Sequence, residues 1–450
     1  MMSYTEALEL LERRLPMFSA EGKTALRPGL ENISRLCAAL GDPQRKFPSV
    51  HIAGTNGKGS TSHMLAAAFQ TAGYKTGLYT SPHLVDLRER VRIDGQPISE
   101  SFVADFVERC VPLIDEIKPS YFELNVAMAF AAFADAGVGI AVIETGLGGR
   151  LDSTNIIDPV LSVITNIALD HTQILGNSLE AIAKEKAGII KPNIPVVIGE
   201  TQEETEQVFF LEAYNKQSTI VYADSIWDMV RTGQDSRHQH FKAIHRGEHQ
   251  MYDLTTDLLG NYQLPNIKTV LAACELLRQM GWNLDRNVVL SSLSRVKPAT
   301  GLRGRWDWLR QRPNIILDVA HNPAGMSYAM ENLKALLGNE SVSKVRILCG
   351  FVSDKDISTS LALMPRDATY YFTQAAIPRA LPSGDLLQIA QSMGLSGSDC
   401  GGVDSAMKKV LEDLAENETL LITGSFFVVG EALKSISKGD LLHTNSISLS

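Results

Sequence analysis

The sequence predicts an α/β protein of two units, the first built on a P-loop-type strand, loop and helix over a parallel sheet. Three observations predict it. Segments rich in Val and Ile alternate with helical stretches along most of the chain, the pattern of parallel sheets covered by helices. One strand, Ser49-Val50-His51-Ile52-Ala53, runs directly into a glycine loop carrying a lysine and then into a helix through Met64 to Phe69. Lys297-Pro298-Ala299-Thr300-Gly301 then places Pro and Gly where one set of elements gives way to the next. The expected units are 1–298 and 302–450, within the two or three that 450 residues allow at about 150 each.

In chain order, Ser49–Ala53, Lys75–Tyr79, Gly139–Glu144, Val160–Ile167 and Pro195–Gly199 read as strands of the first unit. Val126 to Ile143 has the length of a membrane span, but Asp135 interrupts it and Gly137 and Gly139 divide it into a buried helix followed by a strand. From Ser218 to Asp253 the pattern turns polar and irregular, which suggests a solvated surface hairpin. His238, His240, His245 and His249 gather there, yet they do not share a helical face, and neither Cys nor an acidic pair completes a tetrahedral zinc set. The second unit has strand candidates at Asn314–Val319, Val345–Gly350, Thr369–Thr373 and Glu418–Thr423. Its helix candidates are Ala324–Leu337, Leu386–Ser392 and Ser405–Glu416.

Composition excludes several classes. Lys plus Arg number 42 against 51 Asp plus Glu, and the resulting charge of −9 argues against general adhesion to nucleic acid or anionic membrane. An anionic ligand therefore needs a local site. Five scattered cysteines without a C-x-x-C pair indicate neither a disulfide framework nor a thiolate zinc site, and fit a reducing cytoplasm. The first residues alternate acids with leucines at helical spacing and lack a signal-peptide layout, so export by that route is not expected.

The local site is Gly54-Thr55-Asn56-Gly57-Lys58-Gly59-Ser60. Glycines let the backbone curl so that several N–H groups point inward, the following helix adds its dipole, Lys58 supplies a full charge and Ser60 a hydroxyl able to meet Mg²⁺. It departs from the standard P-loop, because position 52 is Ile and Gly59 separates Lys58 from Ser60. The plain alternative is a tight glycine turn. Glu144 ends the apolar strand before it, at the kind of strand terminus where doubly wound sheets place ligands, and its carboxylate suits Mg²⁺.

Gly54–Ser60 resembles the nucleotide loop of the Mur-ligase superfamily, and more narrowly that of the folylpolyglutamate synthase and dihydrofolate synthase family. Further segments match in order: Leu78–Leu84, Glu144–Asn155, Ala168–Thr172, Lys184–Ile189 and Asp318-Val319-Ala320-His321-Asn322-Pro323. Because the loop begins at Gly54, the additional N-terminal domain of the cell-wall ligases is not expected here. The resemblance implies a smaller, Rossmann-like C-terminal ligase unit. It also implies that Asn56, Gly57, Lys58, Gly59, Ser60, Asn266, Arg305, Asp318 and His321 meet ATP. The usual Pro-Gly-Arg reads Arg303-Gly304-Arg305 here, which leaves either arginine open. Ser81 and Glu144 are implied to hold one Mg²⁺, whereas the plain readings are that Ser81 starts a turn and Glu144 caps one. His171 is implied to ligate a second Mg²⁺, although by itself it reads as a structural histidine. Lys186 is implied to be carbamylated, exchanging an ammonium that repels cations for anionic oxygens; otherwise it is a lysine paired with Glu185.

For a pterin-bearing acceptor, the resemblance points to Gly29, to Ser120, Tyr121, Phe122 and Glu123, and to Leu151, Asp152 and Ser153. Tyr121 and Phe122 offer aromatic faces for stacking, unless Phe122 is core, and Asp152 offers an acceptor for ring N–H groups. Arg27-Pro28-Gly29 stands where some members have Asp-Leu-Gly. The expected activity is ATP-dependent addition of L-glutamate to dihydropteroate and to reduced folate through an acyl phosphate, by Lys58, His171 and Lys186. The expected protein is a cytoplasmic monomer acting on small molecules, in a cleft that closes about a hinge at Lys297–Gly304. The alternatives are folylpolyglutamate synthesis alone, a Mur-type peptide ligase, or a nucleotide switch that shares only the loop.

Overall fold

A computed structural model describes residues 2–16, 29–338 and 342–438; Arg27 and Pro28 lie outside the described residues. The chain divides into two compact units, Met1–Pro82 with Leu87–Leu302, and His83–Asp86 with Arg303–Ser450. The expected first unit was continuous through 298, but residues 83–86 pack with the second. There Leu84 closes against Gly304 and Gly430.

The first unit is organised by an eight-stranded sheet. Its strands are β1 (Ser49–Ala53), β2 (Thr76–Tyr79), β3 (Val91–Ile93), β4 (Gln96–Pro97), β5 (Ile140–Glu144), β6 (Leu161–Ile164), β7 (Val196–Ile198) and β8 (Ile220–Tyr222). Their spatial order is β4-β3-β2-β5-β1-β6-β7-β8. β2, β5, β1, β6, β7 and β8 run parallel, and β3 and β4 add an antiparallel edge. Parallel strands covered on both faces need continuous apolar sequence, and every residue of β1 and β5 is buried. Val50, Ile52, Ile140 and Val142 pack under the helices Lys58–Thr71 and Gln263–Gln279. Ala141 and Ile143 face the other layer, with Glu100–Ile117 and Tyr121–Ala136. The latter helix ends at Gly137 with Asp135 exposed, so the apolar stretch is a core helix and strand. Among the described residues no helix is long and apolar enough to cross a membrane.

The polar region after Ser218 is more ordered than a solvated hairpin. Its first residues form β8, and β9 (Trp227–Gln234), β10 (Gln239–His245) and β11 (Gln250–Thr256) make a three-stranded antiparallel sheet. Alternation hid its inner face: Trp227, Met229, Phe241, Ala243 and Leu254 are buried in the main core while the outward residues are polar. Three groups there, His245, Glu248 and Glu275, come close enough to share a cation; Glu248 is local, and Glu275, which completes the acidic pair, arrives from the helix Gln263–Gln279. Arg286 occupies that position. It pairs with Glu248 at 2.6 Å and Glu275 at 2.8 Å, supplying the positive charge itself.

The second unit is a six-stranded sheet of order β12-β13-β17-β14-β15-β16, formed by β12 (Asp307–Gln311), β13 (Asn314–Leu317), β14 (Val345–Cys349), β15 (Thr369–Gln374), β16 (Gly397–Gly402) and β17 (Thr419–Thr423). β12 is antiparallel and the rest are parallel. All five cysteines of the chain are buried free thiols.

Candidate active site

The carboxyl ends of β2, β5, β1 and β6 lie side by side and carry Ser81, Glu144, the Gly54–Ser60 loop and the Thr165–His171 segment respectively. The loop is sewn to its neighbour by paired bonds. Thr55 N–H donates to Asn166 O at 2.8 Å and Asn56 N–H to Asn166 Oδ1 at 3.0 Å, while Thr165 Oγ1 donates to Asn56 O at 2.6 Å. Gly57 caps the helix Lys58–Thr71 in a left-handed conformation, so the loop delivers the chain to a helix N-terminus of 14 residues. Lys58 Nζ donates to Gly54 O at 3.0 Å and Thr55 O at 3.1 Å. Ser60 is buried. Asn266 is buried too, with Nδ2 donating to Tyr262 O and Gln263 Oε1 and Oδ1 lying against Gly57.

Lys186 is the most constrained charge in the first unit. It ends the helix Leu179–Ala187, is 4% exposed, and donates from Nζ to Gly54 O at 2.7 Å. Lys58 donates to the same oxygen. Burial pulls the Lys186 amine well below the usual lysine range, the Lys58 ammonium pulls it further, and Asp170 and Asp152 oppose them. Lys186 is therefore not paired with Glu185, whose carboxylate takes Arg150 at 2.8 Å. Glu144 is 4% exposed, and its Oε2 accepts the Ser81 N–H at 3.3 Å, so these two expected metal ligands are together. His171 lies at the other side of the loop, in a left-handed turn whose N–H donates to Asp170 Oδ1 at 2.7 Å.

The acceptor segments have strong local reasons for their sequence. Ser120 and Glu123 form a reciprocal capping box on the helix Tyr121–Ala136. Tyr121 is buried under Arg90, whereas Phe122 is half-buried and packs on Gly146. Asp152 does not present a vacant carboxylate to a pterin ring. Its Oδ2 accepts Gly146 N–H at 2.9 Å and Leu147 N–H at 2.8 Å, and Oδ1 accepts Thr154 N–H and Oγ1–H, so it shapes the loop. Leu151 is exposed and Ser153 half-exposed beside it. Gly29, in a left-handed turn, leads into the helix Glu31–Ala39.

In the second unit Asp318 follows β13 and accepts Trp306 N–H at 3.0 Å and Ala320 N–H at 2.9 Å, holding two turns together. Arg303 is committed to Asp307 at 2.6 Å. Arg305 instead lies 4.9 Å from the Phe426 ring centroid, and the His321 ring lies tilted against the same ring at 5.6 Å. His321 Nδ1–H donates to Val319 O at 2.9 Å.

Two family models cover most of the chain, the Mur ligase middle domain over residues 52–274 and the Mur ligase glutamate ligase domain over 304–426. The dihydrofolate synthase/folylpolyglutamate synthase of Bacillus subtilis is 33% identical, covering 92% of this chain and 96% of that protein. The chain belongs to the folylpolyglutamate synthase and dihydrofolate synthase family of Mur ligases. The folylpolyglutamate synthase of Lacticaseibacillus casei is 30% identical over 97% of this chain and all of that one. The solved structure of Escherichia coli FolC in complex with DHPP and ADP superposes with a TM-score of 0.81 at 32% identity, covering 97% and 98% of the two chains.

For this Mur ligase, sequence reading missed Gln263, Asn166 and Thr165. Gln263 has no exposure; its Nε2 donates to Ser60 Oγ at 3.3 Å and its Oε1 accepts from Asn266, joining two expected ATP residues 206 positions apart. The signal was present in Tyr262-Gln263-Leu264-Pro265-Asn266, where a glutamine and an asparagine share one face of a helix start. Gln263→Leu should raise the KM for ATP by about tenfold, because two buried polar groups lose a partner. An unchanged KM with unchanged binding of a nucleotide analogue would show that Gln263 is a core residue only.

Proposed function

We propose that the chain uses ATP to join L-glutamate to the carboxylate of dihydropteroate and, in later rounds, to the γ-carboxylate of reduced folate. The observation that carries this reading is the convergence of Lys58, Lys186, Ser81, Glu144 and His171 around one glycine loop at the ends of adjacent parallel strands. ATP phosphorylates the acceptor carboxylate, the glutamate amine attacks the acyl phosphate, and phosphate leaves. Asn56, Gly57, Lys58, Gly59 and Ser60 cradle the phosphates, with Lys58 and Arg305 opposing the charge that spreads over the transferred group. Asn266, Asp318 and His321 complete the nucleotide contacts. Phe122, Leu151 and Ser153 offer the acceptor wall, supported by Ser120, Tyr121, Glu123 and Asp152, and Gly29 is assigned to the same acceptor.

The donor set fits Mg²⁺, since Ser81 and Glu144 offer hard oxygen donors on residues joined by the Ser81 N–H bond to Glu144 Oε2. When bound, Mg²⁺ neutralises phosphate charge and orients the transferred group. A lysine ammonium cannot ligate it. The lowered Lys186 pKa favours the neutral amine, the form that would react with carbon dioxide, losing one proton, and the carbamate would supply the anionic oxygens that an ammonium lacks. Small molecules, a monomeric state and the cytoplasm remain the proposed setting, and the five free thiols fit its reducing environment.

The test is ADP release with Mg²⁺ and glutamate, measured separately with dihydropteroate and with tetrahydrofolate. Release with each acceptor, dependent on glutamate, is expected. Release with tetrahydrofolate alone would restrict the activity to polyglutamylation, and release only with a UDP-muramoyl acceptor would replace the proposal.

A further inference from the structure

Strand alternation turns Val50 and Ile52 toward one layer of helices and sends His51 to the opposite face of β1. His51 is fully buried there, with Nε2 at 2.8 Å from Thr154 Oγ1. The same hydroxyl lies 2.5 Å from Asp152 Oδ1. Burial raises the Asp152 pKa, but the hydrogen bonds from Thr154, Leu147 and Gly146 oppose it by favouring the carboxylate, and as a carboxylate it acts as the acceptor toward Thr154 as well. Thr154 has one proton and places it on Asp152, so it must accept from His51, which fixes the imidazole proton on Nε2. Burial pushes the His51 pKa down to about 3, with Lys191 adding to the effect, and the ring is a neutral donor at any working pH. Its Nδ1 has no hydrogen-bond partner. An aliphatic residue would fill a central strand position without that cost, so what histidine adds here is the Nε2–H bond.

We propose that His51 is a positioning residue for the acceptor: through the Thr154 hydroxyl it holds Asp152, and with it the Gly146–Thr154 loop, against Phe122. This rests on the reading that Phe122, Leu151 and Ser153 meet the acceptor. Three residues beyond His51, directly after the strand ends at Ala53, comes Gly54, so one rigid element sets both the phosphate loop and the acceptor loop.

Thr154→Val keeps the side-chain shape and removes the hydroxyl. It should raise the KM for dihydropteroate or tetrahydrofolate by about tenfold while kcat and the KM for ATP move by less than about twofold, and Thr154→Ser should restore the wild-type value. His51→Gln carries an amide N–H near the Nε2 position and should resemble wild type, whereas His51→Asn, whose amide sits at the Nδ1 position, should resemble Thr154→Val. This pair gives the same answer if Thr154→Val fails to fold. An acceptor KM unchanged in Thr154→Val, or equal loss for ATP and acceptor, overturns the proposal. Phe122→Ala separates the two layers of the argument. If it raises the acceptor KM while Thr154→Val does not, only the His51 role falls; if it leaves that KM unchanged, the acceptor wall itself falls, and the His51 role with it.

Discussion

Lys186→Met should abolish ligation, with turnover falling on the order of 100-fold or more, while the protein melts at the same temperature or higher. The two effects separate because this amine is a stability cost that chemistry requires. It is buried, shares the Gly54 carbonyl with Lys58, and has a pKa held well below 10.5, first by burial and then by Lys58. In the window between that lowered value and 10.5 the unfolded chain keeps a proton that the folded chain gives up. Stability of the unmodified protein therefore rises with pH through this window, and the full cost stands below it. Lys186→Met should remove that rise, as read from urea midpoints across neutral to alkaline pH. Carbon-13 NMR with labelled bicarbonate should show a carbamate resonance that the variant lacks. Full ligase activity in Lys186→Met would exclude the carbamate.

Gly54→Ala should lose about 100-fold in kcat/KM for ATP and about 2 kcal/mol of stability. Gly54 has φ +146°, and an added Cβ would overlap the Thr165 hydroxyl and come within 3.0 Å of Thr165 Cβ and 3.1 Å of its backbone N. Thr165 cannot simply rotate away, because its hydroxyl donates to Asn56 O at 2.6 Å and helps hold the loop. The loop must then move, taking with it the carbonyl on which both lysines converge. Adding Thr165→Ala should recover part of the stability, since the clashing hydroxyl is gone, but not the rate, since φ remains strained and Asn56 O loses its donor. Wild-type ATP kinetics in Gly54→Ala would mean that the loop tolerates displacement and that its geometry does not set the rate.

Much of the fold was legible because its signals are local. The strand at Ser49–Ala53 has the bounds expected, and Asn314–Leu317, Val345–Cys349 and Thr419–Thr423 differ from expectation by one or two residues at an end. Fraying strand ends explain the difference, since pairing stops where register does. The three-stranded sheet was not legible as core, because a half-buried antiparallel strand alternates and its polar half dominated the reading.

By itself the sequence determined the α/β class, the glycine loop before a helix, the free-thiol chemistry and the ordered segments that mark a glutamate-adding ligase, all properties of short windows. Only the tertiary structure decided that β1 lies between β5 and β6, that Lys58 and Lys186 donate to one oxygen, that Arg286 fills the His245, Glu248 and Glu275 cluster, and that Asp152 is spent on its own loop. Periodicity and backbone freedom are written within a few residues. Which distant donor meets which acceptor depends on strand order and register, and these follow from packing of the whole sheet.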